Sequence, residues 1–112
     1  YAHEPEWFTT APVEVIKLVL NKANLNTDEI GLWEINEAFS AVPMVAIEDL
    51  KINPEKVNIY GGAVALGHPI GASGARILTT LINGMFNKNE KYGLAALCIG
   101  GGEAVAMILE KV

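Results

Sequence analysis

A single cysteine, Cys98, leaves this chain without any internal disulfide framework. That scarcity fits a reducing compartment, and a cytoplasmic location is expected. Positive charge is also thin. Eight Lys and Arg face thirteen Asp and Glu, for a net charge of −5. A chain without a basic patch is not built to hold nucleic acid. No apolar run reaches the roughly 18 residues that a membrane span requires. One cysteine and two histidines, with His3 in an irregular N-terminal stretch, make no recognisable metal-ligand set. Gly-Lys-Ser/Thr is absent, and so is a GxGxxG pattern, which leaves no phosphate loop and no dinucleotide fingerprint.

The 112 residues are enough for one domain, taken here as 1–112. Apolar residues make up 51% and charged residues 19%, which excludes a disordered chain. Such an apolar share has two readings, a compact buried sheet or a surface made for a partner. The chain opens on Tyr1 rather than Met, so a fragment of a longer protein is expected.

Residues 1–11 carry no periodic pattern. From Pro12 to Ala23, Val13, Ile16, Val19, Leu20 and Ala23 fall at helical spacing, which predicts a helix. Asn26-Thr27-Asp28-Glu29 has the order of a short capped turn. Gly31 to Ile35 reads as a short strand. A helix is predicted from Phe39 or Ser40 to about Leu50, because Pro43 is tolerated only in a first turn. Asn53-Pro54-Glu55 is a turn. Val57 to Gly62 reads as a second strand and 70–86 as a third helix. Leu94–Ile99 and Ala104–Leu109 are continuous apolar runs joined by Gly100-Gly101-Gly102-Glu103, which predicts an antiparallel hairpin. Continuous apolar strands imply burial on both faces, so helices are expected on either side or a second sheet-bearing domain outside. The order is α-β-α-β-α-β-β, an α/β fold with a mixed sheet. A βα repeat that begins with a helix implies a strand before Tyr1.

The densest chemistry lies in Gly61-Gly62-Ala63-Val64-Ala65-Leu66-Gly67-His68-Pro69-Ile70-Gly71-Ala72-Ser73-Gly74. Its glycines permit close backbone approach and positive φ. Pro69 fixes its own φ and biases His68 toward an extended backbone. An imidazole ahead of a helix N-terminus is well placed for work on an anionic or carbonyl oxygen. The alternative is a histidine that hydrogen-bonds within its turn. Cys98, just before three glycines, is either a small buried hydrophobe or an acid/base thiol beside N–H donors. Asn36 directly follows a strand, as a cap or as an amide that positions water or a carbonyl. Glu37 reads as structural or as an orienting partner. Trp33 and Phe39 read as core, and Arg76 as a surface or ion-pair residue.

Three motifs occur together: Asn36-Glu37-Ala38-Phe39, the Gly61–Gly74 stretch, and Cys98-Ile99-Gly100-Gly101-Gly102. In this order and spacing they resemble the active-site motifs of the thiolase C-terminal domain. The segment from His3-Glu4-Pro5 to Pro12 resembles the opening of that domain in acetyl-CoA acetyltransferases. The resemblance implies two similar α/β halves in a layered αβαβα arrangement. It implies a reversible Claisen condensation through an acyl-enzyme on a cysteine of the N-terminal half. His68 would activate that cysteine and bind the thioester oxygen. Cys98 would take the acetyl α-proton in synthesis and return it in thiolysis. Asn36 would hold a water that completes an oxyanion hole with His68, and the Gly100 N–H would serve a second. Substrate contacts are implied at Phe8, Phe39 and Gly67. Phe8-Thr9 stands where many thiolases carry methionine and glycine.

The resemblance further implies coenzyme A thioesters as substrates with no separate cofactor, an N-terminal thiolase half as partner, and a homodimer or homotetramer. The nucleophilic cysteine and the segment that grips coenzyme A are not in these 112 residues. Three functions follow as expectations. The first is the C-terminal half of an acetyl-CoA C-acetyltransferase, inactive alone. The second is a degradative 3-ketoacyl-CoA thiolase. The third is a structural or interaction domain of the same fold without activity.

Overall fold

A computed structural model describes residues 1–112. Helix α1 spans Ala11–Ala23 and buries Val13, Ile16 and Leu20, the positions that the apolar period marked. Pro12 lies in its first turn, where a missing N–H costs nothing. The Asn26–Glu29 stretch closes a capping box around one 3-10 turn. Strand β1, Leu32–Ile35, follows and is buried throughout. Helix α2, Ala41–Leu50, starts one residue after Ser40, with Pro43 in its first turn. Asn53 caps another 3-10 turn by accepting from the Glu55 N–H. A short helix α3, Ala63–Leu66, precedes the histidine, and α4, Ser73–Lys88, follows it. Strands β2, Tyr92–Cys98, and β3, Ala104–Glu110, form the expected hairpin.

The sheet has three strands in the order β1-β2-β3. β1 and β2 run parallel, with Trp33 opposite Leu94, and β2 and β3 run antiparallel, with Leu97 opposite Val105. The sheet is therefore mixed, as expected. Helices α1 and α2 cover one face around Trp33, Ile35, Leu94 and Ala96. Helix α4 covers the other with Ile77, Leu81 and Met85 against Leu32 and Ala95. Gly84 lets α4 approach closely, since a side chain there would crowd Leu32 and Tyr60.

Two expectations are corrected. The strand read at Val57–Gly62 shrinks to one parallel bridge between Val57 and Trp33. Asn58 turns into the left-handed region at φ 50°, and Gly61 follows at φ 87°. A chain that reverses hand at its second residue cannot continue a ladder. The fourth element is therefore the short helix α3, not a strand. Burial of the hairpin on both faces holds for β2 but not for β3. Val105 and Met107 are each 50% exposed. Helix α4 lies over β1 and β2, which leaves the matching face of β3 uncovered.

Candidate active site

Asn36 is the first residue past β1, and its N–H still donates to the Ala96 carbonyl of β2 at 2.9 Å. That bond fixes a fully buried carboxamide at the C-terminal end of the sheet. Its Nδ2 lies 3.5 Å from His68 Nδ1, the outer limit of a hydrogen bond. Its Oδ1 is buried without a partner. A buried acceptor left unpaired is costly and marks a place where a water or ligand group would be held.

His68 sits on an exposed loop between α3 and α4. Its stronger partner is Ser73, whose Oγ is 2.6 Å from Nδ1. The same hydroxyl donates to the Pro69 carbonyl at 3.1 Å. A hydroxyl has one proton. With that proton given to Pro69, Oγ accepts from Nδ1–H, so the Asn36 amide abuts the ring there without a hydrogen bond, and the free lone pair of the neutral ring is on Nε2. The imidazole is thus held within its own turn by a geometry that leaves Nε2 free. The helix N-terminus itself is partly spent, because the Ala72 and Ser73 N–H groups both donate to Pro69.

Cys98 ends β2 and is buried. Burial pushes its thiol pKa up, since desolvation disfavours the thiolate. A thiol of that kind rests protonated and forms a strong base when it ionises. Beyond it, the Gly100 N–H donates to no acceptor within the chain. His68, Cys98 and Gly100 line one cavity of about 380 Å³ together with Phe8, Phe39 and Leu97. Phe8 and Phe39 meet edge to face, with ring centroids 6.1 Å apart. Phe39 is 59% exposed, which corrects its core reading, whereas Trp33 is core as expected. Gly67 does not line the cavity. It terminates α3 at φ 93°, and its N–H is spent on Ala63.

Charged residues near the site are paired with other groups of the chain. Arg76 on α4 pairs with the buried Glu34 on β1 at 3.2 Å, the ion-pair reading of that arginine. Burial raises the Glu34 carboxyl to about 7, and the opposing pull of Arg76 is too weak to cancel it. Glu37 accepts from Asn58 Nδ2 at 3.1 Å and from the Val64 N–H at 2.9 Å. Two residues of the site carried no role in the sequence reading, Ser73 and Asn58. Their signal is faint but physical: a serine at the mouth of a helix, and an asparagine ahead of a double glycine. No group of three or more His, Cys, Asp or Glu is placed to hold a metal ion.

Comparison with known proteins agrees with this geometry. Residues 1–111 match the family model described as thiolase, C-terminal domain. An acetyl-CoA acetyltransferase of Yarrowia lipolytica is 53% identical over 111 residues, which cover 99% of this chain and 28% of that protein. The mitochondrial acetyl-CoA acetyltransferase of Homo sapiens is 50% identical, over 99% of this chain and 26% of its own length. Among solved structures, the Acat5 thiolase from Ascaris suum in complex with coenzyme A superposes with a TM-score of 0.93 at 47% identity. That match covers 99% of this chain and 28% of that one. The chain thus spans about a quarter of the length of these relatives. Fold, motif order and similarity agree, and the chain belongs to the thiolase family, as its C-terminal domain.

Proposed function

We propose that these residues form the C-terminal catalytic half of an acetyl-CoA C-acetyltransferase, which joins two acetyl-CoA into acetoacetyl-CoA and reverses the reaction. The observation that carries it is the convergence of His68, Cys98 and Gly100 on one cavity, with the Asn36 amide against His68. A cysteine of the N-terminal half is the nucleophile. His68 Nε2 takes its thiol proton, the thiolate attacks the acetyl-CoA carbonyl, and coenzyme A leaves with that proton. The Cys98 thiol then gives its proton to His68 across the cavity they share, and its thiolate removes an α-proton from a second acetyl-CoA. Protonated His68 and a water on Asn36 hold the enolate oxygen. The enolate carbon attacks the acyl carbonyl, whose oxyanion meets the Gly100 N–H, and the nucleophilic cysteine leaves with the proton of His68. Coenzyme A thioesters are the only small molecules that this scheme requires.

The names of the relatives support the acetyl substrate, and the Phe8–Phe39 pair beside Cys98 favours a short acyl group. A degradative 3-ketoacyl-CoA thiolase is the weaker reading, because relatives that match nearly the whole chain are named acetyl-CoA acetyltransferases. Relatives named as cytosolic and as mitochondrial both match. We place this protein in the cytoplasm on its single, reduced cysteine. No helix is long and apolar enough to cross a membrane. The working assembly is a homodimer or homotetramer of the full-length chain.

The test separates the two cysteines. In the full-length protein, Cys98→Ser is expected to abolish condensation and to spare labelling by radioactive acetyl-CoA, since acylation moves no α-proton. Equal loss of labelling and condensation contradicts the division of roles.

A further inference from the structure

Asn58 makes more hydrogen bonds toward the site than any residue to which a catalytic role has been given. It follows the Val57–Trp33 bridge, and its own N–H donates to the Trp33 carbonyl at 2.8 Å. Its side chain then pairs with the end of β1. Oδ1 accepts from the Ile35 N–H at 2.9 Å, and Nδ2 donates to the Ile35 carbonyl at 2.8 Å. The carboxamide thus replaces the next rung of a parallel ladder, which the backbone at φ 50° cannot supply. The second Nδ2 hydrogen goes to Glu37 Oε1 at 3.1 Å. Glu37 Oε2 in turn accepts from Val64 in the first turn of α3, and a Cβ on Gly62 would collide with that carboxylate.

We propose that the Asn58 carboxamide and the Glu37 carboxylate form a clasp that sets the separation of Asn36 and His68, and that both are positioning residues. Ile35 and Glu37 flank Asn36 in sequence, and Asn58 bonds to both. Glu37 also holds the N-terminus of the helix that delivers His68. Each hydrogen of the amide and its oxygen has one partner, so its orientation is determined. The proposal rests on the thiolase reading of the site.

Asn58→Asp tests it. The variant is nearly isosteric but sets a carboxylate against the Ile35 carbonyl and against Glu37. In the full-length protein, a fall in the kcat of condensation of about 10- to 100-fold is expected, the scale of a misplaced catalytic group. KM should change by less than about twofold. In an Asn36→Ala background, Asn58→Asp should lower kcat by clearly less than it does alone, because part of its effect passes through Asn36. Full multiplication of the two losses, or unchanged kcat in the single variant, overturns the clasp. Where Asn58→Asp does not fold, Asn58→Gly keeps the left-handed backbone and takes its place in the same comparison. Wild-type protein without thiolase turnover would defeat the thiolase reading instead. The clasp is then judged from crystal structures of wild type and Glu37→Gln. A widened Asn36–His68 separation supports it, and an unchanged one overturns it.

Discussion

Ser73 shows how much one buried hydroxyl can decide. It is held by Pro69 on one side and by His68 on the other, so it selects which ring nitrogen keeps its lone pair. Ser73→Ala removes the acceptor for Nδ1–H and frees the ring to exchange tautomers. A neutral hydrogen bond is worth about 0.5–1.5 kcal/mol, so cysteine acylation in the full-length protein should slow by about 2- to 13-fold. Rapid-quench measurement of the acyl-enzyme checks this. An unchanged acylation rate would mean that the histidine is oriented by other groups. Cys98 belongs to the same scale. Its raised pKa follows from burial at the end of β2, where the apolar strand takes away water. The side chain is thus the small buried hydrophobe of the first reading, and its burial does not exclude the second.

Between elements, the Glu34–Arg76 pair links β1 to α4. Glu34 is 3% exposed, and its folded carboxyl is raised from 4.5 to about 7. The groups that face it are Arg76 on α4 and Glu37 beyond β1. The folded state therefore holds more protons than the unfolded chain between these values. Stability from this group is full below pH 4.5 and is lost as pH rises toward 7. Glu34→Gln does not titrate. The stability of wild type relative to Glu34→Gln should thus fall by on the order of 3 kcal/mol over that window. Chemical denaturation at several pH values measures it, and a flat or rising difference contradicts the assignment. Helix ends offer a second case. α2 stops at Lys51, which sits at φ 55° and is exposed. Glycine is less strained there, and the ion pair lost with Glu48 is fully at the surface. Lys51→Gly should stabilise the fold by about 0.5–1 kcal/mol, read as a higher urea midpoint at constant slope.

The whole molecule has an ordinary amount of surface. Its 6199 Å² is close to the roughly 6,000 Å² expected of a 12.0 kDa monomer. What that surface is made of is less ordinary. Ile82, Phe86 and Leu109 line one depression between α4 and β3, and Leu97, Val105 and Met107 line another. Leu97 also lines the cavity of His68 and Cys98, so apolar surface runs from there along the uncovered face of β3. A continuous apolar surface of this kind favours self-association in the isolated chain. Sedimentation velocity should show association that rises with concentration and weakens in Met107→Lys. A clean monomer at high concentration would mean that the domain is self-sufficient. The 112-residue chain should also show no thiolysis of acetoacetyl-CoA, because Cys98 is its only cysteine and no acyl-enzyme can form beside it. Turnover that is lost on His68→Ala would contradict this.

Much of the fold could be read from local chemistry alone. The apolar period of α1, the proline in the first turn of α2, the capping box at Asn26 and the hairpin around its glycines are all short-range features, and they stand where expected. Asn36, His68 and Cys98 were likewise marked by type and by their neighbours, and Gly100 by the resemblance of its motif. Other features depend on what lies opposite in space. Whether Val57–Gly62 forms a strand depends on whether its backbone can follow β1. Asn58 ends that pairing with its side chain, since its own carbonyl turns to the Gly61 N–H rather than to β1. Whether β3 is buried depends on where α4 crosses the sheet, which no hydrophobic count records. The link from Asn58 through Glu37 to α3 joins residues 21 and 27 positions apart. Sequence spacing carries the periods of 2 and 3.6 that select helix and strand. It carries no distance between groups that only the closed chain brings together, and hydrogen bonds act over that distance alone.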